Sequence, residues 1–296
     1  MTLFITGASG YVGRRLLDLL DVAAHGGAFA LAHSSSLSAQ EGLQVVRGDL
    51  LEPGSYADAL AECDTVLHLA ALTGKAPRAE HFRVNTEGTR TLVHAARSAG
   101  VKRFLFVSTV AVGFEDIDRY WYAQAKQQAE HVVQAGGMRH AIVRPTMITG
   151  PQSPVIEGLS RLAAAPVLPI FGDGRTEVQP VFVDDLVRGL LSIIDRDAFD
   201  GQTLLFGGPE IVSIEELLLR IRGNGSPPAR VVHLPAAPFS LTLGLLEKAA
   251  LSALPLTAGQ LTTFTCAGTA EPNDLPTWAG DSLTGVDAAL ESHGRG

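Results

Sequence analysis

Tyr122 and Lys126 stand four residues apart in Tyr122-Ala123-Gln124-Ala125-Lys126. On a helix that spacing puts both side chains on one face. A phenol with a pKa near ~10 is a poor base at neutral pH. A neighbouring ammonium favours the phenolate, so the pair reads as a tyrosine acid/base tuned by a lysine. Tyr120 has no such partner, because Gln124 lies four residues on. A hydroxyl partner is expected from the strand ahead of this helix, where Ser108 and Thr109 both qualify. A second cluster is Thr6-Gly7-Ala8-Ser9-Gly10-Tyr11-Val12-Gly13. Gly7 allows a sharp strand-to-helix turn, Gly10 a close approach of backbone to a pyrophosphate, and Gly13 close packing of helix on sheet. The helix N-terminus offers unpaired N–H groups to phosphate. Twenty residues after Gly13 the expected ribose-binding carboxylate is missing, and His33 followed by Ser34, Ser35 and Ser36 stands there. An imidazole and three hydroxyls suit a 2′-phosphate, which leans toward NADP over NAD. Arg14 and Arg15 are candidate helpers.

These groups need a frame that brings a glycine loop and a distant helix together. Strand signals fall at Leu3–Thr6, Ala28–His33, Leu43–Arg47, Thr65–Leu69, Arg103–Ser108 and His140–Arg144. Helical patterns fall between them, at Tyr11–Ala24, Ser55–Ala61, Phe82–Ala99 and Tyr120–Gln134. The strands are apolar without strict alternation, as in a parallel sheet covered on both faces. The expectation is an α/β chain: a Rossmann-type, doubly wound parallel sheet over residues 1–150. Beyond Gly150, prolines at 151, 154, 166, 169 and 180 break the chain into short pieces. Residues 151–296 are expected to form a smaller, mixed α/β, substrate-binding domain, with part of 181–206 returning to the first sheet.

Composition narrows the function. Of 296 residues, 46% are hydrophobic and only 18% charged, which excludes a disordered chain. The 23 basic residues are outnumbered by 31 acidic ones, so a nucleic-acid partner is not expected. Cys63 and Cys266 are too few for a disulfide framework or a zinc site, and they suit the cytoplasm. The N-terminus lacks a signal-peptide pattern. Residues 236–256, AAPFSLTLGLLEKAALSALPL, are strongly apolar but carry Glu247 and Lys248 near the centre. A charged pair is costly inside a membrane, so the segment reads as a docked helix, with peripheral membrane association the lesser alternative.

Taken together the motifs resemble the extended or atypical short-chain dehydrogenases/reductases, the NAD(P)-dependent epimerase/dehydratase-like group. The resemblance rests on TGASGYVG (6–13), GDL (48–50), VLHLAA (66–71), VNTEGT (84–89), FVSTVAV (106–112), YAQAK (122–126), RPTMITGP (144–151) and FGDG…PVFVDDL (171–186). It implies a catalytic set of Thr109, Tyr122 and Lys126. It implies dinucleotide contacts from Gly7, Ser9, Gly10, Tyr11, Val12, His33 and Ser34. Asp49 and Leu50 would meet the adenine, and Leu69, Ala70 and Ala71 the ribose and phosphates. Asn85 would support the sheet and the catalytic lysine or water, and Pro145 would pack by the nicotinamide. Two positions depart from the group's nucleotide-sugar enzymes. Met147 stands where an Asn is usual, and Gln179 where an Arg pairs with the sugar diphosphate. With Thr73 these are the substrate-facing candidates, and the departures point away from nucleotide sugars. The second half is similar to the lineage of the complex I nucleotide-binding accessory subunit, through FGDGRTEVQPVFVDDL, FGGPE (206–210), VVHLP (231–235) and LPLTAGQL (254–261).

The resulting expectation is an NAD(P)-dependent oxidoreductase moving a hydride between nicotinamide and a carbonyl or alcohol of a small molecule. Two alternatives are an epimerase or dehydratase with tightly held NAD, for which Glu115 and Asp116 are spare acids, and a non-catalytic dinucleotide-binding partner protein. No metal is expected. A homodimer is consistent with the group.

Overall fold

The computed structural model describes residues 1–33, 37–38, 40–223, 230–251, 254 and 256–293. Seven strands form one sheet: β1 (Leu3–Thr6), β2 (Ala28–Ala32), β3 (Leu43–Arg47), β4 (Thr65–His68), β5 (Arg103–Val107), β6 (Arg139–Pro145) and β7 (Asp200–Phe206). Their order is β7-β6-β5-β4-β1-β2-β3, and every pairing is parallel. The order reverses beside β1, which opens a crevice at the carboxyl ends of β1 and β4, where such sheets bind ligands.

Both faces of the sheet are covered, which explains the unalternating strands. Leu3, Ile5, Leu67, Leu105, Ala141 and Val143 point into one core; Phe4, Val66, Phe104, Phe106 and Ile142 point into the other. Helix α1 (Tyr11–Leu19) and helix α4 (Val183–Asp195) cover the first face. Helices α2 (Gly88–Ser98) and α3 (Trp121–Gln134) cover the second. Arg15 of α1 makes two hydrogen bonds to Asp184 of α4, at 2.5 and 2.6 Å. That guanidinium is therefore tied to a carboxylate rather than held for a phosphate. Helix α1 is shorter than its pattern, because Asp21 accepts from the Ala24 N–H at 3.1 Å and turns the chain toward two glycines with positive φ.

After β6 the chain leaves the sheet, returns as α4 and β7, and leaves again. The excursions build three short pairings: Ile148–Thr149 with Val181–Phe182, Glu177–Val178 with Val212–Ser213, and Val167–Phe171 with Arg230–Leu234. They share a core of Ile156, Leu168, Ile170, Leu217, Leu261 and Phe264. Helix α5 (Ala236–Ala250) lies on this region. Residues 275–279 form a short helix that packs back on α4 through Leu275.

Gly7 and Gly13 are demanded by contact. Gly7 has φ +74°, and a Cβ there would lie 2.5 Å from the Ala70 amide nitrogen. A Cβ at Gly13 would lie 2.1 Å from the Gly7 carbonyl oxygen. The loop, the start of α1 and the end of β4 therefore touch backbone to backbone. Gly13→Ala is expected to destabilise the fold by roughly 1–3 kcal/mol, since the neighbour that must yield is main chain. Urea unfolding checks this, and an unchanged midpoint would mean that the contact is not tight.

Candidate active site

The glycine loop forms one wall. Gly10 precedes α1 in an extended conformation with no side-chain cap, and the first turn of α1 carries no acid. The N–H groups of that turn are thus left for an anion. Ser9 and Val12 are half-buried and Gly10 is exposed, beside this opening. The Tyr11 phenol faces Gly150, where a Cβ would lie 2.9 Å from its oxygen, and burial pushes its pKa up to about 12. Leu69, Ala70 and Ala71 follow β4 and face the loop from the other side. The cradle fits a dinucleotide diphosphate: glycine backbone at Gly7 and Gly10 and the N–H groups of an uncapped helix start.

His33 is exposed after β2, with Nε2 3.7 Å from a carboxylate oxygen of Asp49. The other Asp49 oxygen accepts from the Leu51 N–H at 2.9 Å, and Leu50 packs against Gly88. These residues meet at the end of the crevice where an adenosine would lie. Ser34, with Ser35 and Ser36, lies outside the described residues.

A buried polar chain ties the two walls together. His68 is fully buried; its Nδ1 meets Thr6 Oγ1 at 2.6 Å and its Nε2 meets Thr89 Oγ1 at 2.9 Å. Burial, then the Lys126 charge, lowers its pKa well below the usual imidazole range. It is neutral, and the two hydroxyls satisfy both ring nitrogens. Thr89 in turn donates to the Asn85 carbonyl at 2.7 Å.

Asn85 departs from its expected role. Its side chain accepts from the Leu72 N–H at 2.7 Å and donates to the Leu72 carbonyl at 2.9 Å. It clamps the loop bearing Thr73, and it makes no contact with Lys126 among the described interactions. It can do so because Phe82–Glu87 is π-helical, a local widening found often at functional sites. Thr73 itself is exposed.

At the end of β5 the Thr109 hydroxyl accepts from the Ala111 N–H at 3.2 Å, which leaves its own proton to donate. Ser108, its neighbour, has a buried hydroxyl with no partner. Lys126 is 1% exposed; its Nζ donates to the Val107 carbonyl at 2.6 Å and lies 3.9 Å from the Phe106 ring centroid. The lysine thus reaches the same strand end as Thr109. One turn earlier, Tyr122 is flanked by the Tyr120 ring at 5.6 Å and the His81 ring at 6.3 Å. Burial, with Tyr120 adding to it, raises the Tyr122 pKa above that of a free phenol. The expected lowering by Lys126 is absent here: the ammonium faces a carbonyl and an aromatic ring, and Tyr122 keeps its proton. Neither His81 nor Tyr120 carried a recognisable signal, since ring packing across elements leaves no spacing to read.

Pro145 is buried at the end of β6, and Met147 is half-buried against the second core. Gln179 is not free to meet a substrate. It is buried, donates to the Gly208 carbonyl at 2.7 Å and accepts from the Ala270 N–H at 2.8 Å. A buried amide must spend its bonds on such partners, and here it ties two loops of the second region.

With this geometry in view, comparison with known proteins is informative. Residues 3–207 match the model of the NAD dependent epimerase/dehydratase family. The chain belongs to that family. Among similar members is the ceramide reductase of Caulobacter vibrioides, 31% identical over 238 residues, 75% of this chain and 74% of that protein. Another is a 3-beta-hydroxysteroid dehydrogenase of Mycolicibacterium neoaurum, 31% identical over 272 residues, 77% of this chain and 73% of that protein. Among solved structures, the UDP-glucuronic acid 4-epimerase of Bacillus cereus in complex with NAD shares the fold, with a TM-score of 0.72 at 19% identity over 99% of this chain and 95% of that one. The family's members include reductases and dehydrogenases, and an NAD-dependent enzyme is the class to which this chain is assigned.

The buried lysine predicts a pH effect on stability. Desolvation lowers its pKa from 10.5 to about 7, with Glu130 opposing. Between those values the unfolded chain holds a proton that the folded chain has released. Stability from this group therefore rises with pH from about 7 to about 10.5 and is constant outside that window. Subtracting the melting curves of Lys126→Met from those of the wild type, both free of nucleotide, should isolate this rise; parallel curves would show that the amine is not desolvated.

Proposed function

We propose that this protein is an NAD(P)H-dependent reductase that converts a ketone or aldehyde of an apolar, lipid-class small molecule to the alcohol. The observation that carries the reading is that Lys126, one helical turn after Tyr122, bonds the last carbonyl of β5, two residues before Thr109, while burial favours the protonated tyrosine. A nicotinamide dinucleotide held by the glycine loop would supply the hydride for such a reduction. Thr109 donates a hydrogen bond to the carbonyl oxygen and fixes it. Tyr122 transfers its proton to that oxygen as negative charge develops there, completing the alcohol. Lys126 stabilises the phenolate left behind, which is the differential stabilisation that lowers the barrier. Burial keeps the proton on Tyr122 until negative charge on the substrate oxygen draws it off.

Three features support an apolar substrate. Gln179 is spent on Gly208 and Ala270, so no residue at that position pairs with a diphosphate. Met147 supplies a thioether where a polar side chain would mark a sugar site. The relatives named above act on ceramide and on a hydroxysteroid. The cofactor choice rests on His33, which replaces a ribose-binding acid and favours NADPH, while Asp49 beside it keeps NADH open.

The test is NADPH and NADH consumption with long-chain ketones and 3-ketosteroids. Tyr122→Phe is expected to lower kcat by ~100-fold or more with nucleotide affinity retained. Unaltered turnover would remove Tyr122 from the chemistry. His33→Ala should weaken NADPH binding several-fold and leave NADH unchanged; equal effects on both would place no 2′-phosphate there.

A further inference from the structure

Helix α5 buries two polar residues while leaving apolar ones exposed. Ser240 and Glu247 are each only 8% exposed, beside Ala236 and Leu243, which pack on the core of the second region. Ser240 Oγ accepts from Arg119 Nη1 at 3.1 Å, and the Glu247 carboxylate accepts from the Ala258 N–H. Its outward side carries Ala237, Pro238, Phe239, Leu241, Thr242 and Leu246, all exposed, with Leu241 at 70%. At about 100° per residue these six uncharged residues span an arc of roughly 200°, within which Lys248 also falls by register. A water-facing helix shows the opposite arrangement. Among the described residues no helix is long and apolar enough to cross a membrane, so this helix has the form of one that lies on an apolar phase.

The helix also lies beside the candidate site. Arg119, which holds Ser240, lies three residues before Tyr122. The segment after the helix is pinned to the same place: Lys75 donates to the Leu254 carbonyl at 2.6 Å, two residues from Thr73. Gly259 lies so close to Tyr120 that a Cβ would be 2.9 Å from its ring. The helix and the segment after it are thus anchored beside the residues that flank Tyr122. The neighbouring loop carries exposed Glu115, Asp116 and Asp118, which repel anionic headgroups.

We propose that α5 docks this protein on a bilayer of zwitterionic lipid, from which an apolar substrate enters beside Tyr122. The proposal rests on the lipid-class reading above. Attachment comes from apolar area rather than from charge, so it is insensitive to salt.

The experiment is flotation of the full chain with phosphatidylcholine vesicles at low and high salt. The protein should float with the vesicles in both. Leu241→Glu combined with Leu246→Glu should weaken binding by roughly tenfold or more while NADPH affinity and the circular dichroism spectrum stay unchanged. Wild-type protein that stays in the dense fraction overturns the proposal, as does binding that salt abolishes. So does a concentration-dependent dimer in the absence of lipid that the double variant turns to monomer, because the face would then belong to a second copy. Reduction of a short, water-soluble ketone without vesicles separates the two readings. Vesicle binding without any reduction would sink the reductase and leave the docking; reduction without vesicle binding would do the reverse.

Discussion

The Lys126 ammonium lies in a nearly water-free position between the Val107 carbonyl and the face of Phe106. A charge in such a place must be met by fixed dipoles, and much of the surrounding order follows from that demand. The carbonyl that meets it belongs to the last residue of β5, so the lysine holds helix α3 to the strand end where Thr109 begins the next turn. The same charge, added to complete burial, keeps His68 neutral. A neutral His68 can link Thr6 to Thr89, and through that link the glycine-loop strand is joined to the helical segment that carries Asn85. The strand before the glycine loop and the loop bearing Thr73 are therefore joined by one polar chain, set between two apolar cores.

That connection explains why the glycines are so constrained. Gly7 and Gly13 let three pieces of backbone touch, and the hydroxyl of Thr6 then accepts from the Ala70 N–H at 3.3 Å. The cradle's shape is set by main chain, which changes little when a ligand enters. The excursions after β6 contribute Met147, half-buried against their own core.

Much of this was legible in the residues. Apolar runs ending at glycine located β1 and β3 to the residue, and apolar runs without that mark located β2, β4, β5 and β6 to within one at each end. The last strand is longer than its apolar core, Thr203–Phe206, because Asp200 and Gly201 join the ladder across a register shift that no hydrophobic pattern records. The Tyr122–Lys126 spacing was legible; its electrostatics was not. The direction of the phenol's shift depends on where the lysine points and on how dry the phenol is, and both are tertiary facts. Gln179 shows the same limit. Its position in a family motif suggested a substrate contact, yet its two amide bonds go to Gly208 and Ala270, one of them 91 residues away. The π-helical turn at Phe82–Glu87 has an ordinary helical pattern, and the widening that accompanies the Asn85–Leu72 bonds leaves no mark in the spacing.

The central claim is that Lys126 acts through Tyr122, the two working as one proton-delivering unit. A double-mutant cycle on single-turnover reduction, followed by loss of the NADPH absorbance, tests it most directly. If the account holds, Tyr122→Phe combined with Lys126→Met reduces the rate no further than the more damaging single change, because the lysine has no phenolate left to stabilise. Losses that multiply across the two positions would contradict it, and would place Lys126 on a separate task from the tyrosine.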